Sequence, residues 1–575
     1  MTIGRTSPPG DVRTHEKGGT MAYSLGIEFS TQSAKTVVLD TASGDVVHVD
    51  QISYDDEFPR YGTDGGVLPA EDPALRHTSP LMMVEALDRV FERLTESSID
   101  LTHVAALKLD GQQHCSVYTN GAFLNRIHEL HDATDAGASR SLTARLDGCF
   151  ARATAPIWED RTTAAEAEEL TEALKAHGGV EALTGNRAEL RFPAAQILRW
   201  AGQDPKGYDS TDQVLVLSAF LTSVLVGALA PVDTGDGWGT NLNGLDLTSP
   251  GWDPTVLQVV NELLAKRGVT TTLTEKLGLM DHYDAAVGPI APYFASKYGV
   301  NPAAMVLAGT GDNPATLLGC GGQVVISLGS SYTVNGVMAE VAPSPTGEYN
   351  VFGYADESAM ALSVITNGGK LHDEFRDRYA HGSWQEYARL AVAGRPGGAG
   401  ADDPAAGTGG PDAGDPRAAD VTADEPLMLP YRYAESVPVA PAGIVRDGFG
   451  EDDAAANVRA LHLSQALSLR LHSSHLEEVG ELAVVGGGSR NAVFRQMITD
   501  LFGVPTYRIR YADSAAPLGC AISAARWAEG LSYAEAANRY VQREPDSEVH
   551  PEPSRRDPYD ALLERYRALE DAHRA

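Results

Sequence analysis

Apolar and polar positions along the 575-residue chain fall into two similar blocks. In the first, the run Tyr23 to Ser30 reads as a buried strand, 31–34 as a polar turn and Lys35 to Asp40 as a returning strand. Ser43-Gly44 turns the chain again into Val46 to Val49, which completes a three-strand meander. Met82 to Leu94 has helical spacing, and Val104 to Leu109 is a strand that runs into Gly111-Gln112-Gln113-His114. Thr162 to Ala176 is a charged helix. Val214 to Ala230 is an unbroken apolar run apart from Ser218, Thr222 and Ser223. It is shorter than the roughly 20 residues of a membrane span, which predicts a buried core helix. It delivers the glycine-rich loop Thr234-Gly235-Asp236-Gly237-Trp238-Gly239-Thr240.

The second block opens near residue 300. Ala304 to Ala308 is a strand leading into Gly309-Thr310-Gly311-Asp312-Asn313, and a helix starts at Pro314. Val324 to Leu328, the turn Gly329-Ser330-Ser331 and the strand Tyr332 to Val337 follow. Leu482 to Val485 is a strand that ends in Gly486-Gly487-Gly488-Ser489-Arg490, with a helix over Asn491 to Leu501. Ala515 to Ala528 is a helix of small residues. The likeness of Ile27–Ser33 to Ile326–Ser331 predicts two related α/β domains facing one another.

Three segments fall outside this pattern. Residues 1–20 are polar and have no apolar stretch of the secretory kind, so they read as a disordered leader, with Met21 a candidate start. Residues 394–424 are rich in Gly, Pro, Ala and Asp and read as a disordered insert. From about 545 an acidic loop precedes a charged helix, Tyr559 to Arg574.

Charge narrows the function classes. With 78 acidic residues against 45 Lys plus Arg, the net charge of −33 argues against nucleic acid and anionic membrane surfaces as partners. A nucleotide remains compatible, because a phosphate site needs only local backbone N–H groups and one cation. Cys115, Cys149, Cys320 and Cys520 are scattered, which supports neither a zinc site nor a disulfide framework and fits a reducing cytoplasm.

The candidate chemistry sits in the turns. One carboxylate among three glycines, Asp236, suits a general base, with the glycines read as giving a mobile, close-approach backbone. Asp233 competes for the role. The hydroxyl turns at Ser30-Thr31 and Gly329-Ser330-Ser331, and the glycine turn at 486–488 before a helix, could hold phosphates. Each alone fits an ordinary hairpin. There is no G-x-x-x-x-G-K-[ST] run, which excludes a P-loop protein. Taken singly, His114 would read as a core histidine, Arg191 as a surface ion pair and Asp312 as a helix cap.

The order of these turns carries more than any one of them. It resembles the FGGY carbohydrate kinases of the actin-like ATPase superfamily, through Gly111–His114, Pro156–Asp160, Leu183–Ala188 with Arg191-Phe192, Asp233–Thr240, Thr310–Ala315, Ile326–Ser331 and Thr366–Gly368. Within that family the chain is most similar to the eukaryotic-type kinases of xylulose, over about residues 23–530. The resemblance implies two actin-like (ribonuclease H-like) domains with a catalytic cleft between them. The first, over 21–290, would bind sugar and carry the base. The second, over 291–548, would bind nucleotide, and 549–575 would form a tail helix. It implies ATP and a sugar as substrates and Mg2+ with the ATP. Asp236 matches the base. Gln113, His114, Arg191, Asp312 and Asn313 match sugar-side residues. Ser30, Thr31, Gly329, Ser330, Ser331, Trp384, Gly486, Gly487 and Asn491 match nucleotide-side residues. Glu28 stands where the family normally carries the Asp that helps hold the metal through water, one methylene longer. Ser30 replaces a customary glycine. Other ketoses or polyols as substrate, a non-catalytic sugar- and ATP-binding protein, and a homodimer all stay open.

Overall fold

The computed structural model describes residues 22–132, 140–393 and 420–574. The leader and most of the insert read from the sequence lie outside these residues. Two sheets organise the rest. Across the first, the strands run Ala286–Pro289, Met305–Leu307, Val104–Gly111, Tyr23–Phe29, Ser33–Asp40 and Val46–Ser53. Across the second they run Asn350–Tyr354, Ser358–Ile365, Tyr332–Val337, Val324–Leu328, Leu482–Val485 and Thr506–Tyr507. In each sheet an opening strand pairs antiparallel with its successor and parallel with a strand arriving much later, which pairs parallel with one more. The predicted internal duplication is therefore a duplication of strand order.

The domain boundary differs from the one expected at residue 290. Met305–Leu307 and Thr310–Gly311 both pair with Val104–Gly111, so the first sheet claims the chain as far as Gly311. Short apolar strands carry no mark of which sheet they will join; pairing decides. The apolar run from Val214 is also two elements. Thr211–Val216 is a strand paired with Ser116–Asn120, and only Leu217–Val226 is helix, closed by Gly227 in the left-handed region at φ 68°. Val214-Leu215-Val216 suits either state by composition, and a partner strand selects the extended one. The C-terminal helix, Arg556–Asp571, buries Tyr559, Leu562 and Tyr566 in the core of the second lobe, so it is part of that lobe rather than a tail.

The lobes meet through two helices, Asp312–Gly319 and Ala515–Glu529. A Cβ on Gly319 would overlap the Ala515 carbonyl, and one on Gly519 would overlap the Ala315 carbonyl. The helices thus cross backbone against backbone. Gly26 admits Pro517 and Ala521 of the second of these helices onto the first sheet in the same way. Among the described residues no helix is long and apolar enough to cross a membrane, and all four cysteines are buried and unbonded.

Candidate active site

Three parallel strand ends in the first lobe bring three turns together. Phe29 lies beside Gly111 and Glu28 beside Asp110, and Thr310-Gly311 continues the same edge. The 30–32 turn, Gln112–His114 and Asp312-Asn313 therefore emerge side by side beyond the carboxyl ends of the strands, where open α/β sheets collect ligands. Side chains lock them together. Gln113 donates to the Gly235 carbonyl at 3.0 Å and accepts from Asn313 at 2.8 Å. Thr31 donates to Gln112 at 3.1 Å and accepts from the indole of Trp158 at 3.0 Å, while Ser30 donates to the Ser33 carbonyl. Both hydroxyl protons of this predicted phosphate turn are thus engaged within the lobe.

The glycine-rich loop is a buried helical turn, Thr234–Gly237. Asp233 caps it by accepting from the Asp236 amide at 2.9 Å and meets the buried Lys108 ammonium at 3.5 Å. Lys108 also donates to the Tyr283 carbonyl at 2.6 Å. Asp233 is committed to holding the turn. Asp236 is not: its Oδ2 accepts from Ser218 at 2.5 Å, and its buried Oδ1 has no hydrogen-bond partner. Burial pushes the Asp236 carboxyl well above the ordinary range, with the charges of Asp233 and Asp312 adding to the rise and the Ser218 hydroxyl opposing it. Burial lifts Asp233 to about 7 against the pull of Lys108. The two aspartates thus differ in their bonding: Asp233 holds the turn and the Lys108 ammonium, and Asp236 keeps one carboxylate oxygen unpartnered.

The glycines serve packing, which corrects the reading of a mobile loop. A Cβ on Gly235 would strike Thr310, one on Gly237 would lie 2.8 Å from the Met280 methyl and one on Gly239 would lie 2.8 Å from His114. None of the three has a positive φ. They let the turn sit against its neighbours.

Beside Asp236, His114 occupies the left-handed region at φ 70°, a strained setting for a residue with a side chain. Its Nδ1–H donates to the Gly239 carbonyl at 2.8 Å and its ring stacks on Phe192 at 4.3 Å. Burial, with the Arg191 charge adding, holds the imidazole neutral, so Nε2 is an acceptor. Arg191 donates to Asn350 at 2.8 Å and lies 3.8 Å from Glu189. Asn350 belongs to the second lobe, as does Val351, whose N–H and C=O both bond to the Asn186 amide at 2.8 Å. Phe352 stands 6.0 Å from the His114 ring. The surroundings of His114 and Arg191 are thus built from both lobes.

Glu28, Asp110 and Asp312 are three buried carboxyls whose charges act on one another. Glu28 is raised by burial and opposed by Lys35, whose ammonium is 3.2 Å away. Asp110 is pushed well up by burial and then by Glu28 and Asp312, and its Oδ1 has no hydrogen-bond partner. Asp312 is lifted to about 7 by burial, with Glu28 adding. Lys108 and Asp110 are missing from the sequence-based candidates, although two charges at i and i+2 in an apolar strand are a legible signal. Ser218 was legible only as a break in an apolar run.

In the second lobe the turns after Leu328 and Val485 are adjacent, because Ser327 pairs with Val485. Gly486 has φ 81°, and a Cβ there would lie 2.9 Å from the Leu328 backbone. Gly329 and Ser330 accept backbone N–H bonds from Gly369 and Lys370. Asn491 caps the next helix by accepting from Phe494 N–H at 3.1 Å, and Gly487 opens the short helical turn that precedes it. Trp384 begins the helix Trp384–Ala393 and packs edge-on against Tyr387 at 5.6 Å.

Residues 324–528 match the profile of the FGGY family of carbohydrate kinases, C-terminal domain. The rat protein named xylulose kinase is 30% identical, over 95% of this chain and 96% of its own. The chain belongs to the FGGY family of carbohydrate kinases. The plant relative, xylulose kinase 2 of Arabidopsis thaliana, is also 30% identical, over 87% of this chain and 86% of its own. Among solved structures, a crystal structure titled as a xyloylose kinase from Brucella ovis superposes with a TM-score of 0.71 at 20% identity, covering 96% of this chain and 99% of its own. That likeness establishes the fold: two actin-like lobes of an FGGY kinase. Against this frame, the candidate residues group by lobe. Glu28, Ser30, Thr31, Gln113, His114, Arg191, Asp236, Asp312 and Asn313 belong to the first lobe; Gly329, Ser330, Ser331, Gly486, Gly487 and Asn491 lie on second-lobe turns, and Trp384 opens a second-lobe helix.

Proposed function

We propose that this FGGY kinase transfers the γ-phosphoryl group of ATP to D-xylulose, giving D-xylulose 5-phosphate and ADP. Near-full-length similarity to proteins named xylulose kinase supports the substrate. The observation that carries the chemistry is Asp236: buried, fixed by Ser218 and Asp233, and left with one unpartnered oxygen beside His114. In this reading Asp236 Oδ1 accepts the proton of the attacking hydroxyl. His114 Nε2 accepts from a second hydroxyl, and Arg191, Asp312 and Asn313 orient the ketose together with Gln113. Phosphoryl transfer is mostly positioning and charge stabilisation, which such a fixed constellation supplies.

Nucleotide phosphates would lie against the backbone of Gly329, Ser330 and Ser331 and of Ser30 and Thr31. The base and ribose would lie toward Gly486, Gly487, Asn491 and Trp384. Mg2+ fits the three carboxylates Glu28, Asp110 and Asp312, because the unpartnered Asp110 Oδ1 is an acceptor for a cation's water. Mg2+ keeps several of its waters when bound, so these carboxylates would hold it through them. The cation would neutralise phosphate charge when bound. Glu28 is held by Lys35 at the edge of this group.

The test is a panel of ketoses and polyols assayed for sugar-dependent ADP release. D-xylulose should show the highest kcat/KM. A higher value with D-ribulose or a polyol would reassign the sugar. Sugar binding by calorimetry with no phosphorylated product would remove the kinase reading.

A further inference from the structure

Two buried histidines in the second lobe lie outside every role assigned so far. His372 sits on the helix Gly369–Tyr379 and His462 on the helix Ala454–Leu471. Their rings meet edge to face at 4.7 Å, and Phe494 closes the cluster at 5.7 Å and 5.9 Å from them.

The hydrogen bonds around them have one consistent direction. Gln465 donates through Nε2 to the carbonyls of Asn367 and Gly368, at 2.8 and 3.1 Å, so its oxygen faces the other way. That oxygen accepts from His372 Nε2–H at 2.7 Å and from the Tyr332 hydroxyl at 3.4 Å. His372 therefore carries its proton on Nε2, and its Nδ1 accepts from the Tyr387 hydroxyl at 2.8 Å. On the second branch, His462 Nδ1–H donates to the Val458 carbonyl at 2.8 Å, which leaves Nε2 to accept from the Asn491 amide at 3.3 Å. Burial keeps both rings neutral.

The two branches end on the two turns that face the nucleotide in the proposed function. Gly368 abuts the Ser331 backbone, and the next two amides bond to the Gly329 and Ser330 carbonyls. Asn491 closes the 486–490 turn. We propose that His372 and His462 are positioning residues for nucleotide binding: a neutral, directional relay that fixes the phosphate turn and the Asn491 turn at one spacing. Neither ring need touch the nucleotide. The two branches meet through the helix Ala454–Leu471, which carries both Gln465 and His462, and each branch fixes its own turn by the direction of its bonds.

This proposal rests on the second lobe being the nucleotide lobe, and the test separates the two ideas. ADP binding by calorimetry and the KM values for ATP and D-xylulose are measured on the full chain for wild type, His372→Phe, His462→Phe and Tyr387→Phe. His372→Phe keeps a ring and removes the bonds; it should weaken ADP binding and raise the KM for ATP by about tenfold. The KM for D-xylulose at saturating ATP should stay within about twofold of wild type, a split that general destabilisation would not produce. His462→Phe should act in the same direction. Tyr387→Phe removes only the outermost donor and should cost about threefold, which keeps the proposal testable if a histidine variant fails to fold. Wild-type binding of ADP with unchanged affinity in the folded variants would overturn the relay alone. Failure of the wild type to bind ADP would overturn the kinase reading and the relay with it.

Discussion

The two lobes share a strand order and differ in what stands at the ends of their strands. In the first, Glu28, Asp110, Asp233, Asp236 and Asp312 crowd the turns, and burial raises all five. In the second, the corresponding turns carry glycine, serine and Asn491, backed by neutral histidines. One scaffold has thus been specialised twice. Stacked buried carboxylates are costly and reactive, which suits proton transfer and cation holding. Neutral backbone donors suit an anionic ligand that must also be released.

The sharpest test of this division is Asp236→Asn. We expect kcat for sugar-dependent ADP release to fall by about a thousandfold, with ADP affinity in the second lobe unchanged. Near-normal turnover would place the base elsewhere. Arg191→Lys comes next. The guanidinium bond to Asn350 and the approach to Glu189 are lost, and the KM for D-xylulose should rise about tenfold while the KM for ATP holds. A matching rise for ATP would mean that the lobes are not functionally separate at this seam.

Titration sharpens the same contrast. Burial pushes the Asp312 carboxyl up to about 7 from the ordinary 3.8, so the folded form holds its proton more tightly than the unfolded form. Stability from this group is complete below about pH 4 and is lost as pH rises through 7. Asp312→Asn removes that loss, so its Tm relative to wild type should climb between pH 4 and 8. A constant difference across that range would contradict the shift. In activity, the acid limb of kcat/KM should lie above the ordinary carboxylate range, because Asp236 must be ionised to accept a proton.

The smallest expected effect separates packing from mobility in the catalytic turn. Gly235→Ala should destabilise by about 1–3 kcal/mol in denaturant melts, since Thr310 stands where the methyl would go. Gly237→Ala should cost less, because the flexible Met280 side chain can move aside. Equal stability in both, with lost kcat, would restore the mobile-loop reading.

Local pattern made much of this legible. The meander from Tyr23, the strand–turn–strand at Val324–Val337 and the helices flanking them are encoded by neighbouring residues, and they formed within a few residues of expectation. What the sequence hid is long-range. Nothing near Asn186 announces that it will bond to Val351, 165 positions away. The strand at Met305 could have joined either sheet, and Val214–Val216 became strand only because Ser116–Asn120 lies beside it. The glycines around Asp236 were visible, but their reason was not: a missing Cβ reads the same whether it frees a backbone or makes room for a neighbour.

That ambiguity resolves differently where the lobes meet. At Gly319 and Gly519 two helices touch with no side chains between them, so there are no ridges to interlock and no rotamers to switch. Such a contact resists any closer approach, because backbone atoms already lie against one another. The crossing therefore acts as a fixed spacer between the lobes. Two missing methyl groups thereby set how closely the two lobes can approach along this seam.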